Sequence, residues 1–154
     1  MKNSPLEKAK TGQPLTNTNL LSYGANTHNG IVRLYNEDRI SIVLELKKPN
    51  QAHATVMYFA IFDGHGGPGC AEFLRDNLHN YIANSPSFPH NLQQSVKEAC
   101  ELAETKFMQQ NLHEMKDKSG SCALMCLVTD SQVVVAHVGD SRAIMSSESG
   151  ADLR

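Results

Sequence analysis

Several things are missing from this 154-residue sequence, and each absence removes a class of function. No apolar run approaches the roughly 20 residues of a membrane-spanning helix, so no membrane partner is expected. Charge of one sign is not in excess. Its 14 Lys and Arg stand against 16 Asp and Glu, a formal −2, which is neither a nucleic-acid footprint nor a polyacidic tail. No Cys-x-x-Cys pair occurs among the four cysteines at 70, 100, 122 and 126. The usual zinc spacings are therefore absent, and four buried free thiols in a reducing compartment are expected. No Gly-Lys-Ser/Thr exists to form a P-loop. The opening MKNSPLEKAKTGQP has no apolar h-region, and its second residue is Lys2 rather than glycine. Neither a secretory signal nor N-myristoylation is expected, and the expected compartment is cytoplasmic or nuclear. There is no internal repeat and no low-complexity tract. What is left has the length and composition of one globular domain, or part of a larger one.

What is present sorts into elements by period. Residues 1–20 are polar and read as a flexible N-terminal arm ahead of a domain at 21–154. Asn and Gly give YGANTHNGIVRLYNEDR turn character. Ile40, Ile42, Leu44 and Leu46 alternate, which predicts a half-buried strand with these four on one face. KKPNQAHA connects it to TVMYFAIF, an apolar run suited to a strand buried on both faces. After the glycines, Ala71, Leu74, Leu78, Tyr81 and Ile82 recur at helical spacing, with Pro68 near the helix start. SPSFPH ends that helix. A second runs from about Asn91, carrying Leu92, Val96, Ala99, Cys100, Ala103, Phe107 and Leu112 on one face. KDKSGS ends that region, and strands are expected over roughly 123–129, 132–138 and 142–146, before a closing loop, SSESGADLR. The order is α+β rather than alternating βαβ.

Register places the acidic residues. If the strands near 40–46 and 55–62 form an antiparallel hairpin turning near residue 50, paired residues sum to about 101. Glu37 and Asp38 then lie opposite Gly64 and Asp63. Three carboxylates so close repel one another unless a cation intervenes. Oxygen donors without a nearby cysteine suggest magnesium or manganese. A second hairpin turning at Thr129-Asp130-Ser131-Gln132 gives pairs summing to about 261. Asp140 is then level with Ser121.

Each residue also has a plain structural role open to it. Asp63 is a possible helix-cap or turn residue, Glu37 and Asp38 solvated turn residues, and Arg33 a surface cation. His65 is a possible structural histidine, and Asp140, Ser141 and Arg142 a turn with a local ion pair. Functionally, Gly64 lacks a side chain and can offer its carbonyl to an ion. His65 beside a metal suits a general acid, and the Arg33 fork suits a phosphate. Gly64-x-Gly66-x-x-Gly69 matches a dinucleotide fingerprint by spacing alone. A second helix follows where a strand is needed, and Asp63 would repel a pyrophosphate.

GIVRLYNEDR, FAIFDGHGG, SGSCALMCLV and VAHVGDSRA, in this order, closely resemble the metal-dependent serine/threonine phosphatases of type 2C (the PPM family), over about Tyr23 to Met145. The resemblance implies a β-sandwich of antiparallel sheets with a flanking helix pair. It implies hydrolysis of phosphoserine and phosphothreonine by a metal-activated water with two or more Mg2+ or Mn2+ ions. Carried over by motif, Arg33 would bind the substrate phosphate; Glu37, Asp63 and the Gly64 carbonyl would bind metal. Asp38 would orient metal-bound water, His65 would protonate the leaving alcohol, and Asp140 would help hold a further, weaker metal. The partners implied are phosphoserine and phosphothreonine proteins, and the state monomeric if the domain is complete. There are two departures. Gly120-Ser121-Cys122-Ala123 stands where the family has Gly-Ser-Thr-Ala. The family's later Asp-Gly and Gly-x-x-Asp-Asn motifs do not follow. The sequence therefore reads as a type 2C sandwich truncated at its C-terminus, with one metal short of its strongest ligands and sheet faces left uncovered. The alternative is a catalytically inactive relative that binds metal or phosphoproteins.

Overall fold

A computed structural model describes residues 10–12, 20–48, 56–111 and 117–147. In chain order its elements are β1 (Lys10–Gly12), β2 (Tyr23–Ala25), β3 (Arg39–Leu46), β4 (Val56–Phe62), β5 (Gly64–His65), α1 (Gly69–Asn84), α2 (Leu92–Asn111), β6 (Gly120–Ser121), β7 (Ala123–Val128) and β8 (Val133–Val138). β3, β4, β7 and β8 form one antiparallel sheet in the order β3-β4-β7-β8. The pairs β1–β2 and β5–β6 are separate and also antiparallel.

Both hairpin registers follow the residue arithmetic. Arg39 faces Phe62 and Val43 faces Tyr58, so this stretch sums to 101, and a shift between Val43 and Leu46 then brings Leu46 opposite Val56. In the second hairpin every pair from Ala123–Val138 to Val128–Val133 sums to 261. Thr129 closes that turn, its N–H donating to the Gln132 carbonyl at 2.9 Å.

The helices cover one face of the sheet. Val56, Tyr58, Ala60 and Phe62 of β4 and Ala123, Met125 and Leu127 of β7 lie in the core with Leu78 and Ile82 of α1 and Val96 and Ala99 of α2. Burying each large apolar side chain contributes about 1.5–3 kcal/mol. Two expectations need correction. The alternating face Ile40, Ile42, Leu44 is not the core face of β3. Cross-strand pairing to Tyr58 and Ala60 puts Val43 and Ser41 there, and the register shift returns Leu46 to it. β4 is also not buried on both faces, because its opposite side shares a half-open apolar surface with β7 and β8. Ile61 is 47% exposed, Val133 54% and Val135 49%. Part of that surface is covered by Tyr23 of β2, whose ring packs on Phe59 at a tilt of 58° with centroids 5.6 Å apart. This is a sandwich arrangement with a short second layer.

Local chemistry explains the helix ends. Gly66 and Gly67 take positive φ (70° and 127°), which only glycine adopts without strain, and they turn the chain into α1 behind Pro68. Asn91 caps α2, its Oδ1 accepting from Gln94 N–H at 3.1 Å. Ser85 and Ser87 hydroxyls both donate to Glu98 (2.6 and 3.0 Å), tying the α1–α2 connection to α2.

Other expectations differ in detail. Lys10–Gly12, within the expected arm, is a strand; residues 1–9 and 13–19 lie outside the described residues, as do 49–55, Leu112 and 148–154. Residues 142–146 hold a single bridge at Met145 rather than a strand. The four cysteines are free, as expected, but half-buried rather than buried. On β7 and just before it, Cys126 and Cys122 sit on the side opposite Ala123, Met125 and Leu127, away from the core.

Candidate active site

The acidic ends of two hairpins meet. The β3–β4 ladder ends at Arg39–Phe62, and the chain beyond keeps the strands side by side. Gly64 packs so closely on the Glu37 backbone that a Cβ there would collide with the Glu37 carbonyl oxygen. Asp38 and Asp63 are within electrostatic reach. Burial, and then the Asp63 charge, push the Asp38 carboxyl above its ordinary range, against weaker lowering by the Gly64 backbone hydrogen bond, Arg33 and Arg39.

β5 and β6 join the second hairpin to this place. Gly64 faces Ser121 and His65 faces Gly120. The His65 ring lies directly on Gly120, where a Cβ would collide with it. Cys122 continues the connection. Its N–H donates to the Asp63 carbonyl at 2.9 Å, and its thiol contacts Asp140 Oδ1 at 3.4 Å. Gly139 has φ of 100°, and a side chain there would strike the Cys122 sulfur.

Glu37 is the most buried of the described acidic residues, at 9% exposure. Its Oε2 accepts from Arg33 Nη1 at 3.0 Å, and its Oε1 from Gly67 N–H at 2.6 Å. The glycine turn thus offers an amide to a carboxylate of its own chain. Arg33 itself is open, its side chain 69% exposed. Asp63, His65 and Asp140 are exposed.

The structure therefore brings Glu37, Asp38, Asp63, Gly64 and His65 together, with Arg33 beside them, and reaches Asp140 through Cys122. The donors suit a hard divalent cation in kind. They are oxygens, two carboxylates repel each other, and the Glu37 carboxylate already holds a cation in the Arg33 guanidinium. Among the described residues no three His, Cys, Asp or Glu side chains converge on one point. The fit is thus one of donor chemistry, with Glu37 turned toward Arg33 and Gly67.

Some supports are not evident from sequence. The Ser119 hydroxyl accepts from Cys70 N–H at the start of α1 (2.8 Å), while Asp117 Oδ1 accepts from Ser119 N–H (2.8 Å). Gly69 abuts the Asp117 carboxylate. These contacts anchor α1, and with it the glycine turn, to the segment before β6. Arg39 fixes the acidic loop by donating to the carbonyls of Asn36 (2.8 Å) and Asp38 (2.7 Å) and to Glu72 Oε1 (2.7 Å). Ser119 and Arg39 stand within the motifs SGSCALMCLV and GIVRLYNEDR, but their partners Asp117 and Glu72 carry no sequence signal.

Comparison with known proteins agrees with the fold. The family model "Protein phosphatase 2C" matches residues 23–153. Probable protein phosphatase 2C 2 of Arabidopsis thaliana is 36% identical over 71% of this chain and 28% of its own length. Protein phosphatase 2C homolog 2 of Schizosaccharomyces pombe is 31% identical over 78% of this chain and 33% of its own length. The chain spans about a quarter to a third of the length of such curated relatives. Among solved structures, the serine-threonine phosphatase 2C from Toxoplasma gondii superposes with a TM-score of 0.64 at 22% identity, over 77% of this chain and 43% of that one. The catalytic domain of the serine threonine protein phosphatase PstP, in complex with two manganese ions, gives 0.59 at 19% identity, over 94% and 52%.

Proposed function

Since the chain belongs to the protein phosphatase 2C family, we propose that it forms part of an enzyme hydrolysing phosphoserine and phosphothreonine in proteins. The observation that carries this reading is the meeting of Glu37, Asp38, Asp63 and Gly64 where the β3–β4 hairpin and the β5–β6 pair converge, with His65 and Arg33 at its rim. Glu37, Asp63 and the Gly64 carbonyl would hold Mg2+ or Mn2+, with Asp140 contributing to a further ion. When bound, such ions lower the pKa of water and neutralise phosphate charge. Arg33 is exposed and within reach of the carboxylates, so its fork is available to a substrate phosphate once it leaves Glu37. Asp38 would orient the water held by such an ion through a hydrogen bond. His65, exposed against Gly120, gives its proton to the leaving seryl or threonyl oxygen.

A second reading, an inactive relative that binds metal or phosphoproteins, is favoured by the lack of three converging side chains among the described residues. Manganese-dependent release of phosphate from a phosphothreonine peptide separates the two. Turnover abolished by Asp63→Asn supports the enzyme. Binding of a non-hydrolysable phosphonate peptide without any turnover of the phosphate form supports the binding module. Absence of both overturns the pair.

A further inference from the structure

A cavity of about 280 Å³ opens between β1, the chain after β2, β3 and α1, lined among others by Lys10, Thr27, Asp38, Arg39, Glu72 and Arg75. Of the candidate active-site residues, Asp38 alone belongs to it. Asp38 lines the cavity and also couples to Asp63, so the cavity and the candidate active site share a wall. At this volume it is smaller than the roughly 300–1,000 Å³ of sites for whole small molecules. It suits a single side chain of a larger ligand.

Its charge is uneven. Three cationic side chains, Lys10, Arg39 and Arg75, face two acidic ones, Asp38 and Glu72. Arg39 is committed to the frame, since it pairs with Glu72 at 2.7 Å and holds two loop carbonyls. That pair cancels internally. Arg75 reaches Asp76 outside the cavity through Nε and Nη2 (2.7 and 2.9 Å), which leaves its Nη1 uncommitted. The Lys10 ammonium has no acidic partner among the described residues. The donors left for a ligand are the Lys10 ammonium on β1 and Arg75 Nη1 on α1, on the walls away from the Asp38 carboxyl.

We propose that this cavity is a secondary anion site, receiving an acidic side chain of the phosphoprotein substrate, a carboxylate or a second phosphate, while the first phosphate occupies the candidate active site. The proposal rests on the phosphoprotein reading above. It adds a preference for substrates acidic near the phosphorylated residue.

The test uses the 154-residue chain with Mn2+ and three fluorescent peptides bearing a phosphonate analogue of phosphothreonine. One has alanine neighbours, one has glutamates two positions to either side, and one has a second phosphonate. Fluorescence anisotropy gives Kd for each. One exposed charge pair is worth up to about fivefold, so the acidic peptides should bind about twofold to fivefold tighter than the alanine peptide. The double variant Lys10→Ala, Arg75→Ala should remove that advantage and leave the alanine peptide within twofold of its original Kd. Whichever acidic peptide keeps the larger advantage identifies carboxylate or phosphate as the natural group. Lys10→Glu, Arg75→Glu should reverse the preference toward a lysine-bearing peptide, a gain that an unfolded variant cannot show. Equal affinity for all three peptides overturns the cavity's role and leaves the phosphoprotein reading standing. No binding of any peptide overturns both.

Discussion

Replacing Gly64 by alanine tests the central geometry. Gly64 has no positive φ, so the substitution brings no backbone strain, only a methyl group. That methyl would overlap the Glu37 carbonyl oxygen, lie 3.1 Å from the Glu37 carbonyl carbon and 3.2 Å from the Ala71 Cβ. Two of these neighbours are backbone and cannot rotate aside. Overpacking of this kind costs about 1–3 kcal/mol, and the upper half of that range applies when only backbone movement relieves it. For a chain of this size the melting temperature should fall by roughly 4–12 °C. Relief requires the Glu37 loop to move away from Asp63, so stabilisation by added Mn2+ should shrink as well. The assay is thermal unfolding followed by circular dichroism, with and without Mn2+. Gly24→Ala is the control: its new methyl would meet only Thr11 Cγ2 at 3.9 Å, and its melting should match wild type within about 0.5 kcal/mol. If Gly64→Ala melts with wild type and keeps its Mn2+ response, Gly64 does not join the two acidic segments and the site as described is wrong.

Three further outcomes are expected. His79 lies half-buried beside the Tyr58 ring, centroids 6.3 Å apart, and burial lowers its pKa from an ordinary 6.5. The unfolded chain then holds the proton more tightly, so this part of the stability is complete above 6.5 and declines as pH falls below it; urea titrations from pH 8 to 5 should show a decline that His79→Gln flattens, and an unchanged slope would refute it. The Cys70 thiol is pushed up to about 11 by burial, with Glu104 and Asp117 adding to it, so iodoacetamide at pH 8 should modify it far more slowly than a free thiol until urea exposes it, as read by peptide mass mapping. Val135→Thr on the open sheet face should leave melting within about 0.5 kcal/mol of wild type while reducing self-association in light scattering; unchanged association would show that this face is not sticky.

Much of this arrangement was legible in the sequence because register is arithmetic. Once a hairpin turn is located, each residue's partner is fixed, and both ladders follow those sums. The helices were legible for a similar reason, since apolar spacing and breakers such as Ser85 and Pro86 bound them. Which face of β3 met the helices was not legible. Its apolar residues, Ile40, Ile42 and Leu44, lie on the far side, and the core side holds Ser41, whose hydroxyl donates to the Arg75 carbonyl at 3.4 Å. A hydrophobic pattern shows that two faces differ, not which neighbour each will meet. The β1–β2 pair was hidden because three-residue strands carry too little pattern. The pairing of Arg33 with Glu37 is a side-chain choice between partners, and spacing cannot express it.

The Cys122 contacts have a mechanical consequence. Its amide holds the Asp63 carbonyl, its sulfur touches the Asp140 carboxylate, and Gly139 leaves no slack beside it. Asp63 and Asp140 follow the ends of the two hairpins that lie away from their turns, so those ends behave like jaws sharing one hinge pin. A force that draws Asp63 inward pulls Asp140 with it. A bulky group added to that sulfur would pry both jaws apart at once.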